Sequence, residues 1–165
     1  FVLYWPTTID SKFVKEIVNI DNKSIEITPT NQMNLSSHKF TFDKPEIATY
    51  ESEEKQETFF GRLVGARSGD KGGCANLGVW VKTDDAYSFL FHYLTVDKLK
   101  ELLTDLEQYD IERYDFPNVR AVNFYIHGIL GDGASSNTKV DALAKSLGEY
   151  LRAKKVNIPK QLIED

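Results

Sequence analysis

Apolar positions are sparse and irregular over the first 58 residues, and from Phe59 onward they recur at strand and helix spacings. In the first stretch, Val2-Leu3-Tyr4 and Ile25-Glu26-Ile27 predict short strands. Between them, Phe13, Val14, Ile17 and Val18 would share one face of a short helix beginning after Asp10 or Ser11. From Thr28 to Thr58 the chain is polar, with Pro29, Pro45 and the charged run Glu51–Glu57. That texture predicts an exposed, partly extended connector.

The second stretch is sharper. Phe59 to Ala66 reads as a strand, followed by the loop Arg67-Ser68-Gly69-Asp70-Lys71-Gly72-Gly73. A strand from Ala75 to Lys82 carries Leu77, Val79 and Val81 on one face. Thr83 or Asp84 can cap a short helix holding Phe89, Leu90 and Tyr93. Thr95 can cap the next, where Val96, Leu99, Leu103 and Leu106 fall at helical spacing.

Ile111–Asp115 and Val119–Ile126 predict two more strands joined by a tight turn at Phe116-Pro117-Asn118. A second loop, His127 to Asn137, leads to a helix whose stripe is Val140, Leu143, Leu147, Tyr150 and Leu151, with Arg152, Lys154 and Lys155 at its C-terminal end. The order strand, strand, helix, helix, strand, strand, helix is that of an α+β domain, an antiparallel-rich sheet with its helices packed on one face. The chain therefore divides into an extension and linker, residues 1–58, and a domain, residues 59–165.

Composition narrows the partners. The net charge of −5 and the absence of a Lys/Arg stripe argue against nucleic acid. No apolar run approaches the roughly 20 residues that span a bilayer. A single cysteine, Cys74, excludes an internal disulfide and points to a reducing, cytoplasmic setting. The chain lacks an initiating Met and opens on a strand-like run, which predicts a piece of a longer protein.

Two loops could carry chemistry. In the first, Gly69, Gly72 and Gly73 let the backbone approach a ligand, Arg67 and Lys71 supply positive charge, Ser68 can donate, and Asp70 can act as acid or base. Neither a Walker motif nor a dinucleotide fingerprint is present, so no nucleotide cofactor is expected. The bland alternative is a glycine-rich hairpin loop with solvated charges. In the second loop, His127 ends a strand, a suitable place for a general acid or base, and Gly128 to Ser135 run toward a helix N-terminus able to receive an anion. Its bland alternative is a bend ending in a Ser136 or Asn137 cap. His38, His92 and His127 have no partners at metal-ligand spacing, so no metal is expected.

The segments Ala66–Gly72, Asn76-Leu77-Gly78-Val79, Glu112–Asn118 and Asn123 through Gly133 together resemble the C-terminal domain of the AtuA-like family, named for acyclic terpene utilisation. The resemblance covers roughly Phe60 to Leu151 and implies a ferredoxin-like sandwich that follows a larger domain in other members. Asp132 and Ser135 stand where the family has glycine or a small residue. The resemblance favours Arg67, Ser68, Gly69, Asp70, Lys71, Asn76 and His127 as functional, and it links the domain to branched terpenoid acids carried as coenzyme A thioesters.

Two readings follow. In one, the domain binds or processes an acyl-CoA or carboxylate, with Asp70 or His127 moving a proton. Arg67, Ser68, Gly69, Lys71, Gly72, Asn76, Gly128 and Ser135 would then hold the ligand. In the other, it is a non-catalytic assembly module that oligomerises or docks on the larger domain. Geometry bears on both. If Ala75–Lys82 and Val119–Ile126 were a parallel central pair, the loops would lie at opposite ends of the sheet, whereas another strand order would bring them together.

Overall fold

In a computed structural model of the chain, residues 7–27, 41–49 and 54–163 are described. The strand expected at Val2–Tyr4 and the histidine at 38 lie outside them. The chain divides into two units, Phe1–Thr41 and Phe42–Asp165.

In the first unit, the expected helix through Phe13–Val18 is replaced by a hairpin. A 3-10 turn, Ser11–Phe13, is capped by the Asp10 carboxylate, which accepts from the Lys12 N–H. Strand β1 (Glu16–Ile20) then pairs antiparallel with β2 (Lys23–Ile27). The two residues between them, Asp21 and Asn22, have φ of 47° and 62°. Short polar side chains tolerate that left-handed conformation, and two such residues in succession match the twist of paired strands. The turn decides the element, and the apolar spacing at Phe13–Val18 is incidental.

In the second unit, residues expected in the connector take defined places. Ser88 Oγ donates to the Glu46 carbonyl at 2.5 Å and accepts from the Ala48 N–H at 2.9 Å. Strand β3 (Lys55–Phe59) follows. The strand expected over Phe59–Ala66 is interrupted by a 3-10 turn, Phe60–Arg62, because Phe60 turns fully into the core.

Strand β4 (Gly65–Lys71) and strand β5 (Cys74–Trp80) then form a hairpin whose only unpaired residues are Gly72 and Gly73. The expected first loop is thus mostly strand. Helix α1 (Asp84–Tyr93) is capped by Thr83, and helix α2 (Val96–Leu102) by Thr95, both as expected. Strand β6 (Ile111–Phe116) and strand β7 (Ala121–Ile126) flank a 3-10 turn at Pro117–Val119.

The long last helix is not formed. Helix α3 covers only Leu147–Arg152, and Val140 and Leu143 are exposed. Polar side chains upstream compete with helical hydrogen bonds. Asn137 Nδ2 donates to the Gly133 carbonyl at 2.9 Å, and Asp141 accepts from the N–H groups of Lys145 and Ser146 at 2.7 and 3.0 Å. Ala144 sits at φ 51°, which no helix accommodates. Strand β8 (Lys155–Pro159), not foreseen, pairs with β3.

The main sheet has the order β4-β5-β7-β6, with every neighbouring pair antiparallel. β5 and β6 therefore run parallel to each other with β7 between them, a split β-α-β arrangement. Along each strand alternate side chains face opposite ways. Ala66, Leu77, Val79, Val122, Phe124 and Ile126 enter one core with Leu90, Leu99 and Leu151 from the three helices. The other face carries half-exposed side chains, among them Trp80, Tyr114 and Phe116.

Candidate functional site

The antiparallel pairing of β5 with β7 answers the question of the two loops. Ala75 stands opposite Ile126, so the β4–β5 turn and the loop leaving β7 emerge at the same end of the sheet. Leu130 N–H donates to the Gly73 carbonyl at 2.8 Å, and Gly128 N–H approaches Cys74 Sγ at 3.4 Å. A Cβ on Gly73 would stand 2.1 Å from the Gly131 carbonyl oxygen, so this approach requires glycine. Gly72 and Gly128 serve the turns themselves, at φ 63° and 66°.

The two-residue period of β4 splits the residues expected to act together. Arg67, Gly69 and Lys71 belong to the open face, as does Asn76, which pairs with Gly69 across the ladder. Ser68 and Asp70 belong to the helix face. Ser68 Oγ accepts from the Gly148 N–H at 3.0 Å and ties β4 to α3, while Asp70 lies 3.8 Å from Lys145. Lys71 Nζ donates to the Asp70 carbonyl at 2.9 Å. Ser135 is exposed in the second loop.

His127 is joined by residues that the sequence did not single out. Its Nε2 lies 2.6 Å from Glu112 Oε1, and Tyr114 donates its hydroxyl to the other oxygen of the same carboxylate. The Tyr125 ring meets the imidazole edge-on, centroids 4.9 Å apart. Hydrogen bonds from Tyr114 and then His127 hold the Glu112 carboxyl below its ordinary range. An ionised carboxylate can only accept, so the Nε2 facing it carries the proton and Nδ1 is left to exchange one. Tyr125 is pushed up, first by its hydrogen bond with Cys74.

Further along the open face, Asn76 Nδ2 donates to Asn123 Oδ1 at 3.2 Å. The open face thus presents cations along β4, amides at its centre, and an imidazole–carboxylate pair at the loop end. The signal for Glu112 was present in the sequence: folding the two expected strands about Phe116-Pro117-Asn118 places it beside Tyr125 and next to His127. Among the described residues, no group of three or more His, Cys, Asp or Glu side chains could hold a metal ion.

An antiparallel sheet with helices on one face and a split β-α-β core defines an α+β, ferredoxin-like domain. A sequence model of the AtuA ferredoxin-like domain matches residues 60–157, and the chain belongs to that family. No curated protein and no solved structure matches the chain significantly. Among the described residues, no helix is long and apolar enough to cross a membrane.

Proposed function

We propose that the open sheet face is a ligand-binding face for a small carboxylate or acyl thioester, and that His127 moves a proton at its loop end. The observation carrying this reading is the Glu112–His127 pair, 2.6 Å apart, set at the end where the two glycine-bearing turns converge. Glu112 orients the ring through this hydrogen bond. Nδ1 is then the atom that takes up or releases a proton. Arg67 and Lys71 border the face with positive charge that suits an anionic ligand. In this reading Gly78 keeps the middle of the face low enough for an extended molecule to lie across it. A role in the breakdown of branched terpenoid acids would fit such a ligand.

The test is a titration of the amide NMR spectrum with a short acyl-CoA and the matching free acid. Saturable shifts at Lys71–Asn76 and Tyr125–Gly128, lost in His127→Ala, support the reading. Shifts absent at millimolar ligand would overturn it.

A second reading is favoured by another observation on the same face. Trp80, Tyr114 and Phe116 are 40%, 48% and 49% exposed, and exposed aromatic clusters are typical of protein interfaces. As an assembly module, the domain would dock this face on a larger domain or a second copy. Light scattering that shows a concentration-independent monomer, with no affinity for the larger domain, would remove this reading.

A further inference from the structure

Arg67 belongs to the open face, but β4 is an edge strand, and the residue also lines a cleft of about 330 Å3 between that edge and α3. Ala66, Ser68, Lys145, Gly148 and Glu149 complete the lining. We propose that this cleft is a binding site for the phosphate or carboxylate group of a small metabolite, held by Arg67 and Lys145.

The two cations are available. Arg67 is exposed, and its side chain has no hydrogen bond or ion pair among the described residues. Lys145 has one carboxylate neighbour, Asp70, at 3.8 Å, the outer limit of an ion pair, and both side chains are substantially exposed. Such a pair contributes little and yields readily to a better partner. The other carboxylate on the rim, Glu149, is taken by Arg152 Nη1, with its two oxygens at 2.8 and 2.9 Å.

Two missing side chains set the positions of Lys145 and α3 beside β4. A Cβ at Gly69 would stand 2.7 Å from Lys145 Nζ, so glycine there admits the ammonium group. A Cβ at Gly148 would stand 3.3 Å from the Ala66 backbone, so glycine there lets α3 approach β4 closely. An arginine and a lysine in one lining suit an oxyanion, which Arg can hold through two parallel hydrogen bonds. The volume exceeds that of a phosphate ion and falls within the range of small-molecule pockets.

This inference does not rest on proton transfer at His127, and the experiment keeps the two apart. The full chain is titrated with inorganic phosphate, and separately with acetate, at constant ionic strength while amide shifts are followed. Saturable shifts at Arg67, Ser68, Lys145 and Gly148 are expected. Lys145→Ala and Arg67→Ala should each weaken binding about tenfold, Arg67→Lys by less, and His127→Ala not at all. Tighter phosphate than acetate binding would identify a phosphorylated ligand, and the reverse a carboxylated one. Shifts that never saturate, or that survive Lys145→Ala unchanged in a folded protein, would overturn the proposal.

Discussion

The main-chain N–H of Leu130 donates to the carbonyl of Gly73 at 2.8 Å, joining the turn of one hairpin to the loop that leaves a neighbouring strand. This single bond spans 57 positions of sequence and sets His127 beside the hairpin end that carries Cys74 and Lys71. The two turns act as one structural unit because neither could approach the other with a side chain at residue 73.

The first prediction concerns that approach. Gly73→Ala places a Cβ against a backbone oxygen that cannot swing aside, and should cost about 2–3 kcal/mol. Gly72→Ala meets nothing within 4 Å and carries only the strain of φ 63°, about 1 kcal/mol. Thermal melts of the two variants should therefore separate clearly, with Gly73→Ala the lower. Gly73→Ala should also shift the His127 ring resonances; equal melting temperatures would contradict the assigned contact.

Glu112→Gln should leave the melting temperature nearly unchanged, since the carboxylate is exposed, while shifting the 15N resonance of His127 Nε2 as its hydrogen bond to a charged acceptor is lost. Ring 1H–15N correlation spectra of wild type and variant read this directly. Unmoved ring resonances would mean that the pair is not formed in solution.

Asp141 gives a pH dependence with a definite sign. Burial raises its pKa, but hydrogen bonds from the Ser146 hydroxyl and the N–H groups of Lys145, Ser146 and Leu147 outweigh that and leave it lowered. Its folded value lies below its unfolded one, so its stabilising contribution is complete above the ordinary carboxylate range. It is lost as the pH falls through the folded value. Asp141→Asn should cost about 1–2 kcal/mol at neutral pH. The gap between wild type and variant in urea melts should narrow below roughly pH 4; a gap that widens there would contradict the assignment.

Ser68→Ala should destabilise by about 1 kcal/mol, because it leaves the Gly148 N–H without its side-chain acceptor. Amide exchange at Gly148 should accelerate in step. A faster exchange confined to the open face would instead place Ser68 there.

The outline of the fold was legible where local rules dominate. Thr83 and Thr95 cap the two helices as their residue types require, and the alternation of Leu77 and Val79 marks a strand on either side of which water and core are divided. The errors share one cause. Arg67–Lys71 looked like a loop because of its glycine and charges, yet an edge strand with one open face tolerates both. Val140 and Leu143 looked helical because of their spacing, yet Asn137 and Asp141 capture the backbone groups that a helix would need.

The candidate site was legible as residue types and not as a place. From the sequence alone, His127 was the end of a strand and Arg67, Ser68, Asp70 and Lys71 were neighbours in one segment. Local chemistry determined the hairpin turns, the helix caps and the strands, because each depends on residues a few positions apart. Only the tertiary structure decided that Ser68 and Asp70 face away from Arg67 and Lys71, and that Glu112 meets His127. Those facts depend on strand register and antiparallel pairing, which are set by burial of one sheet face against helices from distant parts of the chain.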